Sequence, residues 1–595
     1  MIQERLCELR ESMKASGIDC YLIPTSDYHD SEYVSGFFRV REFFSGFSGS
    51  AGTLVVLQEE AALFTDGRYF IQAGKQLEGS GIRLMKIGEP QVPTLNEYLE
   101  QKLTQGQSLG FDGRVVKASS AGEYEKILEK KQGRLVWDKD LAEGIWKERP
   151  ELEHQPVSIL KECYSGESAA SKIARVREKM REEGASMHIL TSLDDIAWIL
   201  NIRGNDVESC PVVLSYAVIT MDEVLFFAGK SACGSEVSGY FAENGITLCP
   251  YEDFYGYISR VEGERILLCL NRVNCRVKKE LGDRAEIIDK ANPSTLMKAV
   301  KNPVEMENLR KSHLKDAVAV THFMYWLKKN IGKLPMTEIS AAEQLEAFRR
   351  RQEGFIEPSF ETICAYGPNG AIVHYSATAE SYAELRPEGL LVVDSGGHYP
   401  EGSTDITRTF ALGPLTDEMK KHFTLVLRAM LNLKNTKFLY GCRGLNLDVR
   451  AREVLWEYGL DYKHGTGHGV GYLLNVHEGP NGFRWRLLSD HEENAELEEG
   501  MVTTDEPGLY IEGSHGIRIE NELLCRKGEE NEYGQFMYFE DLTCVPIDLD
   551  AVDPAYLEAK DKERLNAYHA EVYGKLAPYF EGDELAWLKQ ATREI

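Results

Sequence analysis

Two stretches of this chain repeat one another, and that repetition restricts the fold more than any other feature of its 595 residues. Leu9 to Phe37, LRESMKASGIDCYLIPTSDYHDSEYVSGF, matches Val176 to Ile202, VREKMREEGASMHILTSLDDIAWILNI. Arg10 falls on Arg177, Met13 on Met180, Gly17 on Gly184, and Thr25-Ser26 on Thr191-Ser192. In each copy an amphipathic helix ends at a glycine and feeds a short apolar strand, and the Thr-Ser pair is placed to cap a second helix. Later strands, AALFTDGRY and EVLFFAGKS, continue the likeness. The economical fold is two tandem α/β domains, residues 1–155 and 156–300.

A third domain, 301–595, opens at KNPVEMENLRKSHLKDAVAVTHFMYWLKK. Asn302 as N-cap, Pro303 at the first helical position and Glu305 reaching back make a capping box, with Leu309, Val318, Val320, Phe323 and Met324 as the helix's apolar contacts. Beyond it come the strand patterns GLLVVDSGG and STDITRTF, helices near 416–435 and 444–458, and more strands from Gly500. A charged helical tail begins near Ala551.

Composition excludes more than it names. A formal net charge of −27 without a basic stripe forfeits the counterion release on which nucleic-acid binding depends. No apolar run approaches the ~18 residues a membrane span needs, and the N-terminus MIQERLCELRESMKASGIDC lacks a signal peptide's apolar core. The twelve cysteines show no CxxC pairing and read as reduced, mostly buried thiols. Localisation is expected to be cytoplasmic.

The chemistry concentrates in the third domain. Asp394 ends the apolar run Leu390 to Val393 and is followed by turn residues, SGGHYPEGS, in which His398 reads as a turn residue. In the returning STDITRTF, alternate residues Ser403, Asp405, Thr407 and Thr409 share a face, so a hairpin brings Asp405 near Asp394. Two such aspartates repel unless a cation lies between them. Glu506 is aimed by the turn at Pro507-Gly508. Glu520 projects opposite Ile517 and Ile519 alongside Arg518; a surface pair with that arginine is the plain alternative. Asp505 adds negative charge beside Glu506.

HGTGHGVGYLLNVHEGP, His464 to Pro480, carries three histidines. His464 and His468 have the spacing of a zinc helix, but the glycines between and after them will not propagate one. His477-Glu478 begins like HExxH and lacks the second histidine, and no lysine or acidic ribose reader supports a phosphate cradle. A glycine-rich loop that lets backbone and imidazoles approach a site closely is the remaining local reading. Four carboxylates and an imidazole make a hard, oxygen-rich set able to hold two divalent ions, favouring manganese, cobalt, iron or zinc at a hydrolytic centre for acyl bonds.

The ordered set Asp394, Asp405, His468, Glu506 and Glu520, within VVDSGGHYPEGSTDITRTF, HGTGHGVGYLLNVHEGP, TTDEPGLY and GIRIENELL, resembles the dinuclear pita-bread peptidases, the family of methionine aminopeptidase, prolidase and aminopeptidase P. The two preceding domains and the ELAWLKQAT tail are most similar to the long, three-domain cytosolic Xaa-Pro aminopeptidases. The resemblance implies an α/β (α+β) architecture, with two creatinase/prolidase-type N-terminal domains before a pita-bread catalytic domain. It implies five metal ligands, Asp394, Asp405, His468, Glu506 and Glu520, holding two ions, most readily Mn2+. Glu506 would also pass the water proton, His374 in AIVHYSAT would handle a proton, His477 would bond the scissile carbonyl and His464 would line the substrate pocket. Arg68, in TDGRYF, is a candidate wall of that pocket.

The implied activity is removal of the N-terminal residue from peptides with proline at the second position, by water activated on the metal pair, in a homodimer that binds neither nucleic acid nor membrane. Two alternatives stand beside it: a prolidase acting on Xaa-Pro dipeptides, and a pita-bread module serving only binding. Relatives of the latter kind lack ligand positions, and here all five are filled.

Overall fold

The computed structural model describes residues 1–487 and 494–595; the acidic stretch from His491 to Glu499, expected as an enlarged surface loop, lies partly outside them. The chain forms two compact units, one of Met1–Lys161 with Glu167–Ser294, the other of Glu162–Gly166 with Thr295–Ile595.

In the first unit the repeat becomes two six-stranded sheets of one topology. β1 (Cys20–Pro24), β2 (Thr53–Leu57), β3 (Ala61–Thr65), β4 (Ile82–Lys86), β5 (Ser108–Gly110) and β6 (Arg134–Val136) lie in the order β4-β3-β2-β1-β5-β6. β7 (Met187–Leu190), β8 (Ser215–Thr220), β9 (Val224–Ala228), β10 (Ile246–Pro250), β11 (Arg265–Leu268) and β12 (Glu286–Asp289) lie in the order β10-β9-β8-β7-β11-β12. In both, the first strand runs antiparallel to the second and parallel to the fifth.

The residues that carry the repeat do the same work twice. Helices α1 (Ile2–Ala15) and α2 (Ala169–Glu182) bury Leu9 with Met13 and Val176 with Met180. Gly17 and Gly184 then take φ of +64° and +67°, the left-handed turn that a side chain would resist. Arg10 and Arg177 each donate from Nε, at 2.8 Å, to a carbonyl at the end of the second strand, Leu57 and Thr220 respectively.

The expected second helix forms in one copy only. Ser192 stands at the N-cap of α3 (Leu193–Leu200), although its hydroxyl bonds the Asp195 carboxylate instead of the helix backbone. After Thr25-Ser26 there is no such helix: Thr25 donates to Gly52 O, and Asp27 Oδ1 collects the amides of His29 and Ser31 at 2.8 and 2.9 Å. That local side-chain capture offers the backbone an alternative to the helix.

The second unit begins as the sequence predicts. Asn302 Oδ1 accepts from Val304 N and Glu305 N, Glu305 Oε2 accepts from Asn302 N, and Pro303 opens α4 (Pro303–Asn330). Leu309, Val318, Val320, Phe323 and Met324 are all buried. α5 (Glu338–Arg349) leads to a three-stranded sheet of β13 (Ile363–Tyr366), β14 (Leu390–Ser395) and β15 (Ile406–Ala411), followed by α6 (Asp417–Lys434).

A six-stranded sheet combines β16 (Phe438–Leu439), β17 (Gly467–Gly469), β18 (Glu478–Phe483), β19 (Val502–Asp505), β22 (Asn521–Asn531) and β23 (Gly534–Asp541), in the order β16-β23-β22-β19-β17-β18; β20 (Gly508–Ile511) and β21 (His515–Arg518) form a hairpin. Phe323, Met324 and Leu327 of α4, Val426, Leu427 and Met430 of α6, and Leu391, Val393, Ile406 and Phe410 of the strands share one apolar core with Ile517 and Ile519. The polar ends of these strands are thereby left facing one site. The tail forms α7 (Ala559–Leu576) and a final helix, Gly582–Ala591.

Candidate metal centre

Strands β14 and β15 pair antiparallel with Asp394 opposite Thr407, and Asp405 lies two residues before Thr407, immediately outside the strand. The hairpin thus puts both aspartates on one face. Asp405 is held through its backbone: its N–H donates to Glu522 Oε1 at 2.6 Å.

His468 sits in β17, where the neighbouring strand comes so near that a Cβ on Gly467 would stand 1.7 Å from Thr504 O. That approach, not a helix or a phosphate, is what the glycines serve. The His468 amide donates to Thr504 Oγ1 at 3.0 Å, and Nδ1 lies 2.9 Å from Gly469 O. A carbonyl there makes Nδ1 the donor and Nε2 the unprotonated nitrogen, the one that ligates an ion. Nε2 points between two carboxylates, 3.5 Å from Asp405 Oδ2 and 3.5 Å from Glu506 Oε1.

Glu506 follows β19 at the turn made by Pro507, its amide donating to Thr466 O at 2.8 Å. Glu520 lies in the two-residue link between β21 and β22, not inside one strand; Thr407 donates to its Oε2 at 2.6 Å. Ligand atoms of Asp405, His468 and Glu520 all lie within 4.8 Å of one another.

Arg518 is buried and does not make the surface pair with Glu520 that its spacing allows. Its Nη2 donates to Asp394 Oδ2 at 2.6 Å, Nη1 to the Tyr510 hydroxyl at 2.7 Å and Nε to Thr407 Oγ1 at 3.2 Å. Arg518 and Glu520 meet instead through the Thr407 hydroxyl, which accepts from the arginine and donates to the carboxylate.

These carboxylates fit a cation. Among the described residues the buried Asp394 Oδ1 has no hydrogen-bond partner. Burial pushes Asp405 and Glu520 well above the usual carboxylate range, and the neighbouring acids push the same way. Burial also lifts Glu506 to about 7, against the pull of Arg518 and with the push of Asp394. Acids packed this closely cannot all ionise unless positive charge stands among them, and the pull of Arg518 and Arg484 still leaves Glu506 raised.

The histidines divide by position. His477 sets its ring edge-on to His468, centroids 4.2 Å apart. His464 bonds the Tyr510 hydroxyl from Nε2 at 2.9 Å and has Nδ1 4.0 Å from Glu506 Oε2; burial and then Arg518 hold its pKa well below the usual value, so it is neutral. His374 is half-buried in a turn, and the carbonyl of Val373 before it accepts from Arg518 Nη2 at 3.5 Å. His398 is not in the turn itself but buried in a two-residue strand, His398–Tyr399, paired with Gly402–Ser403, with Nδ1 2.8 Å from Ser403 Oγ. Arg68 belongs to the first unit, where Asp66 takes its guanidinium in two bonds of 2.9 and 2.8 Å.

Some of the site is not anticipated by motif reading. Glu522 shares the alternation of Glu520, which was available as a signal, and stands with Oε1 3.1 Å from His313 Nε2 of α4. His313 Nδ1 lies 2.7 Å from Leu309 O, so both ring nitrogens face acceptors. Burial opposes its charge, but Glu522 outweighs that and raises the pKa. Nothing in the sequence of α4 marks His313.

Fold and site together define a metal-dependent hydrolase. Family models agree: residues 307–527 match metallopeptidase family M24 and 535–595 its C-terminal region, while 5–136 and 148–305 each match a creatinase/prolidase N-terminal domain. A probable Xaa-Pro aminopeptidase P of Laccaria bicolor is 39% identical over 99% of this chain and 92% of its own length, and aminopeptidase P2 of Arabidopsis thaliana 38% over 100% and 89%. The crystal structure of the X-prolyl aminopeptidase of Caenorhabditis elegans, described as a cytosolic enzyme with a di-nuclear active site, superposes with a TM-score of 0.95 at 34% identity, covering 100% of both chains. The chain belongs to the aminopeptidase P family of M24 metallopeptidases.

Proposed function

We propose that this enzyme removes the N-terminal residue from peptides whose second residue is proline, using two divalent ions, preferentially Mn2+. Asp394, Asp405, His468, Glu506 and Glu520 would hold them. The supporting observation is His468 Nε2, unprotonated when Nδ1 donates to Gly469 O, and 3.5 Å from both Asp405 Oδ2 and Glu506 Oε1. When bound, such an ion pair supplies a water of lowered pKa and an electrostatic partner for a developing oxyanion.

The chain's own groups supply the rest. Glu506 is placed to accept the proton of the attacking water at an Oε atom. His477, set against His468, donates toward the scissile carbonyl, and His374 carries the proton handled at the departing proline nitrogen. His464, kept neutral and tied to Tyr510, lines the pocket.

A homodimer in the cytoplasm completes the reading. Trp456 and Trp485, 42% and 46% exposed and edge-to-face at 6.3 Å, offer an aromatic patch to a second copy, and no described helix is long and apolar enough to cross a membrane. The reading is tested by metal analysis and sedimentation of the purified protein. Two ions per chain and a mass of twice 67.2 kDa are expected, and a metal-free monomer contradicts it.

A further inference from the structure

Glu478, the residue that makes His477-Glu478 look like the start of HExxH, has no part in the chemistry above, yet it is buried against two lysines. Lys301 Nζ donates to Glu478 Oε1 at 2.8 Å and to Val470 O at 2.6 Å. Lys298 Nζ stands 3.6 Å from Glu478 Oε2. The three side chains are 1%, 3% and 2% exposed for Lys301, Lys298 and Glu478.

The two acceptors of Lys301 are the two limbs of one loop. Val470 follows His468 by two residues, and Glu478 follows His477 directly, with Gly469 paired to Glu478 where β17 meets β18. The lysine is itself anchored: its N–H donates to Gly500 O at 3.0 Å, and the next residue is the capping Asn302 of α4. One ammonium therefore ties both ends of segment 470–478 to the start of α4.

Burying the Lys301 ammonium against a carboxylate is a poor way to gain stability, since desolvation offsets much of the attraction and apolar side chains would serve as well. Its distinctive property is geometric, because a charged donor with two fixed acceptors permits one loop position. We propose that Lys301, through Glu478 and Val470, is a positioning residue that sets the separation of His468 and His477. The proposal rests on the reading of His468 as a metal ligand.

The test uses full-length Lys301→Met and Glu478→Gln proteins with two readouts. The first is amide hydrogen exchange of peptides covering 469–478 in metal-free protein. The second is a cobalt(II) titration followed by visible absorption. In Lys301→Met, exchange in 469–478 should accelerate at least roughly tenfold while the hairpin β22–β23 is unchanged. One cobalt affinity, that of the ion on His468, should fall by on the order of tenfold while the other stays within about twofold.

Glu478→Gln, which keeps the shape and one acceptor oxygen for Lys301 but not the charge, should shift both readouts the same way by less, and it decides the matter if Lys301→Met does not fold. Unchanged exchange in 469–478 overturns the proposal. So does an equal fall in both cobalt affinities that tracks the thermal midpoint, which is the mark of general destabilisation. If wild-type protein takes up no cobalt, the metal reading fails, and the exchange experiment alone judges the brace.

Discussion

Arg518 donates from Nη2 to Oδ2 of Asp394 at 2.6 Å and from Nη1 to Tyr510 at 2.7 Å, placing a fixed cation directly behind a candidate metal ligand. The pair is buried, with side chains 3% and 11% exposed, so neither charge has water to fall back on. Breaking such a pair costs about 3–5 kcal/mol. Arg518→Met should lower kcat/KM by roughly 100-fold or more, measured on a Xaa-Pro tripeptide with metal in excess; Arg518→Lys, lacking the planar fork that reaches Asp394, Tyr510 and Thr407 together, should recover only a small part. Wild-type kinetics in either variant would mean that the pair is incidental.

Thr407 sits one bond further out. Its hydroxyl donates to Glu520 Oε2 at 2.6 Å and accepts from Arg518 Nε. Orienting bonds of this kind are worth roughly 10- to 100-fold in metal affinity. Thr407→Val should weaken metal binding by that factor in a chelator competition with little change in fold, read by circular dichroism.

Stability is concentrated behind the aspartate hairpin. Arg349 Nε and Nη2 donate to the two oxygens of Asp316 at 2.7 and 2.9 Å, Tyr399 donates to Asp316 Oδ1 at 2.9 Å, and arginine and aspartate are 1% and 0% exposed. Arg349→Met strands the buried carboxylate, and urea unfolding should show a loss of about 3–5 kcal/mol. The double variant Arg349→Met, Asp316→Leu should recover most of it.

His569 on α7 supplies a pH signature. Its Nε2 accepts from Ile547 N at 3.0 Å, and burial, helped by Arg408, lowers its pKa from 6.5 to about 3. Between those values the unfolded chain binds the proton and the folded one does not. Stability from this group is therefore complete above pH 6.5 and is lost as pH falls toward 3, by up to about 1.4 kcal/mol per pH unit. The unfolding free energy of wild type should fall relative to His569→Gln by that slope between pH 6 and 5, whereas parallel pH profiles would contradict the assignment.

How much of this was legible depended on where each signal lives. The paired arginines Arg10 and Arg177 and the glycines Gly17 and Gly184 are local features of a repeated unit, and a sequence can show them directly. Asn302, Pro303 and Glu305 form a cap within four residues. The carboxylates Asp394, Asp405, Glu506 and Glu520 could be singled out because each interrupts an apolar strand or precedes a turn. Their assembly into one site was legible only through the family resemblance, since it depends on strand order across two sheets.

What escaped is what depends on long-range packing. Arg518 seemed free to pair with Glu520 because strand alternation was extended past residue 518, where β21 ends. Thr25-Ser26 carries the same cap signal as its repeat partner, but Asp27 competes for the following amides. His313, Lys301 and Lys298 act across more than 150 residues of sequence, on Glu522 and Glu478, and no local pattern marks them.

The most direct measurement is hydrolysis by manganese-loaded protein of a matched series, Gly-Pro, Gly-Pro-Gly and longer Gly-Pro peptides. Free glycine should be released from the tripeptide and the longer peptides, with activity lost on chelation and restored by Mn2+. Cleavage of the dipeptide alone would contradict the aminopeptidase assignment and point to a prolidase, and no cleavage of any member by protein carrying both ions would contradict the catalytic reading altogether.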